Sequence, residues 1–438
     1  MKSVLLITVS SDEIKKIRHA RYIKFQQCTM PYLAAFFPAE WQVTHIDEET
    51  QPIDYAKNYD LVGLTFHTPC CYHAYEIAAR FRAKGAKVIM GGPHVTLVPD
   101  EAEQHADSIF VGEAENTLPR FFIDLEQGKT KKRYVDNGVV DLAKAPLLQK
   151  QHFHRADHTA GTMFATRGCP NSCEFCTIAC IYKNKFRKRP VAEVAKDFSA
   201  FKGKVVVFWD DNISADIAYA KKVFKAITPY KKWWTSQASI KAGEDDEFLE
   251  LAYKSGCRHL FVGFESITQM SLDGANKSFN KVERYREIIR RIHSHGISIQ
   301  AGIVFGFDCD TPGVFDETLA FLRENGIAQA TFNMLTPYPG TPLFDRLKSE
   351  GRILTEDWSK YNSRTDVVFQ PKNMSPMELL DGFNYVNREF YRLGNILSRL
   401  SRSRVNLSWT LPLNLIYHVL FRYSNMKKRC QSTGFVLY

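Results

Sequence analysis

The first part of the chain alternates short apolar runs with longer amphipathic stretches. The apolar runs predict five β-strands, at Val4–Val9, Trp41–Ile46, Leu61–Phe66, Lys87–Met90 and Ser108–Val111. Tyr72–Lys84 lies between two of these runs and repeats apolar residues at helical spacing, which predicts an α-helix. Short apolar strands that alternate with amphipathic helices are typical of a parallel sheet covered on both faces. We therefore expect a Rossmann-like, doubly wound parallel sheet over residues 1–145.

The middle of the chain repeats this alternation of strand and helix. Six further strands are predicted, at Gly161–Thr166, Val205–Trp209, Trp233–Ala238, His259–Phe264, Ser298–Phe305 and Ala328–Leu335. Six successive βα units fit an open, partial TIM-type barrel of (β/α)6 form. Because barrel chemistry lies at the carboxyl ends of the strands, site residues are expected in the loops that follow them. We place this barrel at residues 150–350.

Residues 351–438 carry no further strand pattern and are predicted to be helical. Ser375 and Pro376 offer a helix N-cap and a first helical position. Residues 387–430 hold nine Lys or Arg and a single acid, Glu389, interleaved with apolar side chains. Such a segment can lie on an anionic membrane surface. A helix that packs on the barrel and turns its charges to water has the same pattern, so both interpretations stay open.

Size, charge and the N-terminal sequence limit the function classes. A chain of 438 residues with 45% hydrophobic residues can bury more than one core, in keeping with three domains. The net charge of +10 favours anionic ligands or a membrane surface, but no basic, aromatic RNA-binding module is visible, so no nucleic acid is expected. The chain starts directly with a strand pattern, and no run reaches the ~18 apolar residues of a transmembrane helix. We expect a cytoplasmic protein.

Three cysteines lie close together after the first predicted barrel strand. The run Arg-Gly-Cys-Pro-Asn-Ser-Cys-Glu-Phe-Cys contains Cys169, Cys173 and Cys176. Thiolates are the ligands of iron–sulfur clusters, and three of them leave one iron of a [4Fe–4S] cube without a protein ligand. A zinc site usually adds a second cysteine pair, and ten dilute cysteines do not indicate a disulfide framework. Cys180 is near enough to be a fourth ligand, although we expect it to be a packing residue.

The cysteine motif resembles that of the radical S-adenosylmethionine (SAM) superfamily. In that superfamily the open iron binds SAM, which is cleaved to a 5′-deoxyadenosyl radical when the cluster donates an electron. The resemblance implies an electron donor such as flavodoxin or ferredoxin, and an aromatic ring, Phe175, beside the cluster. It also implies SAM contacts at strand ends, at Asp210, Asp211, Ser236, Gln237, Ser239, Glu265 and Phe305. An acidic residue at a strand end is commonly a helix cap, so a structural role for Asp210 or Asp211 stays open.

Residues 55–120 resemble the cobalamin-binding domain that precedes many radical SAM cores. The similarity rests on the Gly-Gly-Pro-His-Val-Thr run and on Asp-Ser-Ile-Phe-Val-Gly-Glu. It implies that the strand-end loops line cobalamin through Thr65, His67, Gly91, Gly92, His94, Thr96, Gly112 and Glu113. The chain lacks the Asp-x-His-x-x-Gly motif that places a histidine on cobalt. We therefore expect cobalamin without a histidine ligand, or a degenerate domain that binds none.

Together the two resemblances imply a cobalamin-dependent radical SAM enzyme. It would transfer a methyl group to an unactivated carbon, or less often phosphorus, of a small-molecule or lipid substrate. The alternative is a radical SAM enzyme without methyl transfer, performing cyclisation, rearrangement, C–C coupling or aminocarboxypropyl transfer. A non-catalytic iron–sulfur redox or sensor protein is a different class, which would need no SAM pocket. Cys70 and Cys71, adjacent in one strand-end loop, could ligate cobalt or act as thiols.

Overall fold

The computed structural model of the protein describes residues 2–17, 27–136, 138–148 and 160–433, without the side chains of 421–433. Within these ranges the strands are β1 (Lys2–Thr8), β2 (Trp41–Asp47), β3 (Leu61–Thr65), β4 (Lys87–Gly91), β5 (Ser108–Val111), β6 (Arg133–Val135), β7 (Gly161–Met163), β8 (Thr166–Arg167), β9 (Arg187–Lys188), β10 (Val205–Phe208), β11 (Trp233–Ala238), β12 (Cys257–Glu265), β13 (Ser298–Phe305) and β14 (Gln329–Met334). The helices are α1 (Asp12–Ile17), α2 (Thr29–Leu33), α3 (Cys71–Arg82), α4 (Pro93–Leu97), α5 (Pro99–Ala102), α6 (Leu118–Glu126), α7 (Thr177–Tyr182), α8 (Val191–Ala200), α9 (Ile217–Ile227), α10 (Asp246–Lys254), α11 (Gln269–Gly274), α12 (Tyr285–Ser294), α13 (Val314–Glu324), α14 (Pro342–Ser349), α15 (Pro376–Phe390), α16 (Leu393–Ser403) and α17 (Leu407–Thr433).

The chain divides into two compact units, each built from several segments. The first unit comprises Met1–Asn212, Pro229–Lys232 and Thr336–Val368. The second comprises Ile213–Thr228, Trp233–Leu335 and Phe369–Tyr438. The domain limits expected from the sequence, 1–145, 150–350 and 351–438, follow the chain continuously and stay a prediction.

The first unit contains a six-stranded parallel sheet in the order β2-β1-β3-β4-β5-β6. Alternate residues of its strands enter two separate apolar cores, because successive side chains point to opposite faces. Leu5 and Leu64 belong to one core together with residues of α3, whereas Leu6 and Leu61 belong to the other. The expected Rossmann-like sheet, covered on both faces, is thereby confirmed.

All five predicted strands of this sheet are present within two residues of their expected ends. The sixth strand, β6, was not predicted, because Arg133–Val135 directly follows the charged run Lys129-Thr130-Lys131-Lys132. It pairs with β5 in parallel register at the edge of the sheet. An edge strand of three residues has too little apolar periodicity to stand out from its charged neighbours.

The predicted barrel strands are also present, two in the first unit and four in the second. In the first unit β7 and β10 pair in parallel. In the second unit β11, β12, β13 and β14 pair in that order, again in parallel. The chain leaves β7 at Met163 and enters a short antiparallel ribbon, β8–β9, that the sequence did not predict. The cysteine-bearing loop lies between the two strands of this ribbon.

The C-terminal region is helical, as expected. Helix α15 begins at the predicted place, where Ser375 and Glu378 form a capping box. Arg399 of α16 is buried, and it donates hydrogen bonds to the carbonyl oxygen of Ile327 (3.0 Å) and to Asn414 Oδ1 (2.9 Å). These contacts pack α16 and α17 within the second unit. Among the described helices, none combines the length and apolar character that crossing a bilayer requires.

Candidate active site

The three motif cysteines lie on one compact loop between β8 and α7. The backbone N–H of Cys176 donates to the carbonyl oxygen of Cys173 (3.0 Å), which closes a tight turn between them. Asn212 donates its side-chain N–H to Cys169 Sγ at 3.8 Å. Burial raises the pKa of the Cys176 thiol, and the nearby Cys169 raises it further. Three clustered thiols on one loop are the donor set of a [4Fe–4S] cluster, so the residues present fit that group.

The backbone before the cysteines adopts a conformation that requires glycine. Gly168 has φ +83°, and a Cβ built on it would lie 2.1 Å from the carbonyl oxygen of Lys185. Its N–H donates to Asp211 Oδ2 at 2.7 Å. Gly168, just after β8, and Lys185, just before β9, therefore lie directly against each other at the end of the β8–β9 ribbon.

The other side of the loop is fixed by an ion pair. Glu174 accepts two hydrogen bonds from Arg346 of α14, from Nε at 2.6 Å and from Nη2 at 3.1 Å. Its carbonyl oxygen also accepts from the N–H of Leu343 at 3.2 Å. Cys180 directs its thiol to the carbonyl oxygen of Cys176 at 3.6 Å, within α7. Phe175 lies half-buried beside these residues.

Asp210 and Asp211 follow β10 and bind backbone groups that precede the cysteines. Asp210 is fully buried and accepts from the N–H groups of Ala165 (3.0 Å) and Thr166 (2.6 Å). Burial raises the pKa of Asp210 to about 7 and also raises that of Asp211. The structural role that the sequence left open for these two carboxylates therefore has contacts to support it. Their SAM contacts stay a prediction.

The remaining residues predicted to contact SAM lie in the second unit, at the ends of successive strands. Ser236 is buried and Gln237 half-buried on β11, and Ser239 caps the short turn that follows. Phe305, at the end of β13, is buried against Phe315, with ring centroids 5.0 Å apart. Phe305 thus contributes to the core of the unit, and its predicted contact with SAM is not tested by this packing.

Glu265 ends β12 in a strained backbone conformation. Its φ is +63°, which is uncommon for a residue other than glycine, and its carboxylate pairs with Lys277 Nζ at 2.6 Å. Asn280 donates to the carbonyl oxygen of Gly263 at 3.1 Å, and its own Oδ1 is buried without a hydrogen-bond partner among the described residues. The sequence does not single out Lys277 or Asn280, because nothing in their loop distinguishes them from ordinary surface residues.

The strand-end loops of the N-terminal sheet lie at the carboxyl edge of that sheet. Gly92 has φ +99°, and a Cβ there would lie 2.5 Å from Thr65 Oγ1, so this position requires glycine for packing. Thr96 Oγ1 donates to the carbonyl oxygen of Gly92 (3.0 Å) and accepts from the N–H of Gly112 (3.1 Å). It thereby joins the loops after β4 and β5. Gly91 has more room, since its nearest contact would be Phe110 Cβ at 3.6 Å.

Two polar groups at this edge bear on whether cobalamin fits. His67 is exposed after β3. Ser10, just after β1, is buried, and its hydroxyl has no hydrogen-bond partner among the described residues. A buried hydroxyl that lacks a partner among the described residues, in the loop that follows a strand of this sheet, is consistent with a polar ligand at the carboxyl edge of a parallel sheet. The residues present therefore fit cobalamin.

His94 lies beneath the edge rather than on it. It is fully buried, and its two ring nitrogens lie 3.3 Å from Thr68 Oγ1 and 3.2 Å from Tyr75 OH. Tyr75 in turn donates to Glu101 Oε1 (3.0 Å), within reach of the buried thiol of Cys71. Both ring nitrogens of His94 thus have protein partners, so the contacts assign His94 to a structural network. Burial raises the pKa of Cys71 to about 12, which keeps that thiol protonated.

Glu113, the last of the predicted cobalamin residues, contacts the cysteine loop of the same unit. Its Oε1 accepts from Arg167 Nη1 at 2.6 Å, and its Oε2 accepts from Arg187. Arg167 also binds Glu115. Neither arginine was singled out from the sequence, because a basic residue beside a loop gives no signal of a partner that is distant along the chain.

Comparison with known proteins gives a match for the region that bears the cysteine loop and another for the N-terminal sheet. Residues 163–322 match the family model of the Radical SAM superfamily, residues 24–122 match that of the B12 binding domain, and residues 341–411 match a domain of unknown function (DUF4070). The bacteriochlorophyllide d C-12(1)-methyltransferase of Chlorobaculum tepidum is 33% identical over 84% of this chain and 83% of its own. The C-8(2)-methyltransferase of the same organism is 31% identical over 76% of this chain and 78% of its own.

Solved structures share the fold at lower sequence identity. The radical SAM methyltransferase TsrM from Kitasatospora setae, with cobalamin and a [4Fe–4S] cluster bound, gives a TM-score of 0.67 at 16% identity, over 80% of this chain and 75% of its own. The cobalamin-dependent SAM radical enzyme OxsB, with aqua-cobalamin and SAM bound, gives a TM-score of 0.71 at 13% identity, over 99% of this chain and 76% of its own.

The protein belongs to the radical SAM superfamily, within the group that carries an N-terminal B12-binding domain. The predicted family, fold class and enzyme class are confirmed, as is the predicted set of cofactors at the level of the two domain families. The relatives named above are methyltransferases, which favours the predicted methyl transfer over the alternative chemistry. The individual site residues stay predictions.

Proposed function

We propose that this enzyme transfers a methyl group from SAM to an unactivated carbon on a side chain of a chlorophyllide-type tetrapyrrole. The observation that carries the proposal is the 33% identity to a bacteriochlorophyllide d methyltransferase over most of both chains. A second relative that acts on another position of the same pigment supports the substrate class, but leaves the methylated carbon open. A lipid is the second candidate, since a hopanoid C-2 methylase is 27% identical over 74% of the chain.

Within this proposal, Cys169, Cys173 and Cys176 hold the cluster. When bound, the cluster supplies the electron that cleaves SAM, and cobalamin carries the methyl group. Glu265 is proposed to meet SAM with its orientation fixed by Lys277, and Asp211 to hold the loop of the cluster through Gly168.

The remaining predicted contacts keep their roles as proposals, with the geometry above as their support. They are Phe175, Asp210, Ser236, Gln237, Ser239 and Phe305 for SAM, and Thr65, His67, Gly91, Gly92, Thr96 and Gly112 for cobalamin. Gly91 and His67 are the best candidates among the latter group, because one has room above it and the other is exposed. His94 and Glu113 are proposed to hold the cobalamin-binding loops in position, since protein groups already bind their side chains.

The partners follow from charge and from the C-terminal helices. A net charge of +10 suits an acidic electron donor such as flavodoxin or ferredoxin, and a substrate that bears carboxylates. Leu415, Ile416 and Val419 are exposed on α17 in a region rich in Lys and Arg, which supports peripheral contact with an anionic membrane. An iron–sulfur cluster needs a reducing compartment, so we propose that the enzyme works in the cytoplasm.

The test is a labelled methyl-transfer assay with the full chain, reconstituted anaerobically with iron, sulfide and cobalamin. SAM with a trideuterated methyl group is supplied with a reductant and with bacteriochlorophyllide d or a hopanoid hydrocarbon in separate reactions. We expect the pigment to gain one trideuterated methyl group, as detected by mass spectrometry. Cys176→Ala should abolish the gain, whereas Cys180→Ala serves as the matched thiol control and should retain it. Labelling of the hopanoid alone would contradict the proposed substrate class.

A further inference from the structure

Four charged side chains of the first unit form one cluster between two loops. Glu113 and Glu115 follow β5, while Arg167 and Arg187 lie on the β8–β9 ribbon. Arg167 Nη1 is 2.6 Å from Glu113 Oε1 and also contacts Glu115, and Arg187 contacts the other oxygen of Glu113. The side chains are 11%, 6%, 14% and 10% exposed for Glu113, Glu115, Arg167 and Arg187. We call these four residues the carboxylate–guanidinium bridge.

Local folding of the ribbon does not explain this arrangement. Arg167 and Arg187 are directly opposite each other in the antiparallel register, where like charges destabilise a strand pair. What compensates them is a pair of carboxylates on a loop that lies 52 to 74 residues earlier in the chain. Charges that are mostly removed from water need such partners. The ribbon and the loop after β5 therefore depend on each other electrostatically.

The arginines are also held in place by aromatic rings. The guanidinium of Arg167 lies 5.3 Å from the ring centroid of Tyr32 and 5.0 Å from that of Phe164. The guanidinium of Arg187 lies 5.1 Å from the ring centroid of Tyr182, which is the last residue of α7. Contacts of this kind limit the movement of each guanidinium. Each ion pair therefore also fixes the position of its carboxylate relative to the ribbon.

The bridge joins two functionally distinct loops. The residue after Arg167 is Gly168, which starts the cysteine loop, and Arg187 lies on β9, after the helix α7 that follows that loop. The two glutamates lie on the loop that begins at Gly112, at the edge proposed to bind cobalamin. We propose that the carboxylate–guanidinium bridge is a positioning device that holds the loop of the cluster against the loop of cobalamin, and so sets the separation of the two cofactors. The inference rests on the proposed function.

The first experiment needs no cofactor and uses amide hydrogen exchange on the full chain. In the Glu113→Gln/Glu115→Gln variant, we expect amides of residues 166–188 to exchange about tenfold faster or more, the size expected from losing hydrogen bonds between charged groups. Arg346→Gln is the matched control, because it removes an ion pair to Glu174 from the cysteine loop without touching the loop after β5. It should leave exchange in residues 112–117 unchanged.

Unchanged exchange in residues 166–188 of the glutamine variant would overturn the proposal. The proposal would also be overturned if Arg346→Gln accelerated exchange in residues 112–117 as much as the glutamine variant accelerates exchange in residues 166–188. Any loss of an ion pair in this unit would then raise exchange in both segments. Arg167→Lys provides a milder perturbation should the double variant fail to fold. It keeps the charge but loses the planar fork, and an intermediate acceleration is expected.

The second experiment measures the position of the cofactors in the loaded protein. Electron paramagnetic resonance detects faster spin relaxation of cob(II)alamin when a reduced cluster is near. We expect this enhancement to be weaker in the Glu113→Gln/Glu115→Gln variant, and fewer methyl groups to be transferred per SAM cleaved. The same relaxation in parent and variant would contradict the positioning role. If the parent protein takes up no cobalt, the proposed function fails, while the exchange experiment still tests the bridge.

Discussion

Gly168→Ala is the substitution that most sharply tests how the cysteine loop is held. The residue has φ +83°, precedes Cys169 and lies directly against the backbone of Lys185. A methyl group at this position changes neither charge nor a cluster ligand. Any loss of iron in the variant therefore reports on the backbone geometry that brings the cysteines together.

Two contributions set the destabilisation expected for Gly168→Ala. An L-residue in the left-handed region costs about 1–2 kcal/mol. The new Cβ would lie 2.1 Å from the carbonyl oxygen of Lys185, which is more than 1 Å closer than the ~3.3 Å of a close C···O contact. Since that oxygen belongs to the backbone, it cannot swing away, and relief of such overpacking costs about 1–3 kcal/mol. Together they predict a local destabilisation of about 2–5 kcal/mol, which lowers the population of the closed loop more than tenfold.

The assay is iron per chain after anaerobic reconstitution, together with the thermal midpoint of the apo protein. We expect Gly168→Ala to hold much less iron than the parent and to exchange amides of the β8–β9 ribbon faster. Gly203→Ala is the matched control, because a Cβ there meets nothing within 4 Å and its φ lies outside the left-handed region. A Gly168→Ala protein that binds as much iron as the Gly203→Ala protein would refute the reasoning.

Further predictions address the cluster, the cobalamin edge and pH. Cys176→Ala should abolish formation of 5′-deoxyadenosine, whereas Cys180→Ala should keep its iron; loss of iron from the latter would indicate four-cysteine ligation. Thr96→Val should weaken cobalamin binding about tenfold in a titration, because its hydroxyl joins two strand-end loops through two hydrogen bonds. The cob(II)alamin form of the parent should show no nitrogen splitting from an axial ligand, and His67→Ala should leave that spectrum unchanged. Nitrogen splitting in the parent would contradict the absence of a histidine on cobalt. Burial lowers the pKa of His259 from 6.5 to about 4, so the unfolded chain binds the additional proton between these values. His259 should therefore contribute about 3 kcal/mol more stability at the upper end of that window than at its lower end. His259→Gln should remove this contribution from the pH dependence measured in urea titrations, and a pH dependence identical to that of the parent would disprove the assignment.

The strands could be predicted because their signal is local. A parallel strand covered on both faces is a nearly continuous apolar run, as in β5, which has the predicted bounds. Strands β11 and β13 mix apolar and polar residues and also have the predicted bounds. The elements that were missed carry little or no such signal. The two strands of the β8–β9 ribbon have two residues each and contain mostly charged side chains. They are held by partners elsewhere in the fold.

The proposed cluster ligands have a signal in the sequence, whereas the contacts that support them do not. The spacing of Cys169, Cys173 and Cys176 predicts the cluster loop, because all three proposed ligands lie within one short segment. His94 has the same sequence context as a loop residue that contacts a ligand, yet its ring is buried against Tyr75 and Thr68. Such a position depends on side chains that meet only after the sheet has formed.

The ion pairs of the candidate site also could not be predicted from the sequence. Glu113 was predicted to face cobalamin because it follows a strand end. The structure brings Arg167 and Arg187 to its two oxygens, and its contact with cobalamin stays a prediction. A single sequence does not reveal which of 58 basic residues will pair with a given carboxylate, since ion pairs have no fixed spacing along the chain.

The central claim, that this chain holds a cluster and cobalamin together, is tested most directly by counting both metals. The full chain is purified anaerobically from cells supplied with cobalamin, and iron and cobalt are measured per chain alongside the absorbance spectrum. We predict both metals in the parent, and loss of iron with retention of cobalt when Cys169, Cys173 and Cys176 are all replaced by alanine. A parent protein that carries iron but no cobalt, and still turns over its substrate, would contradict the account.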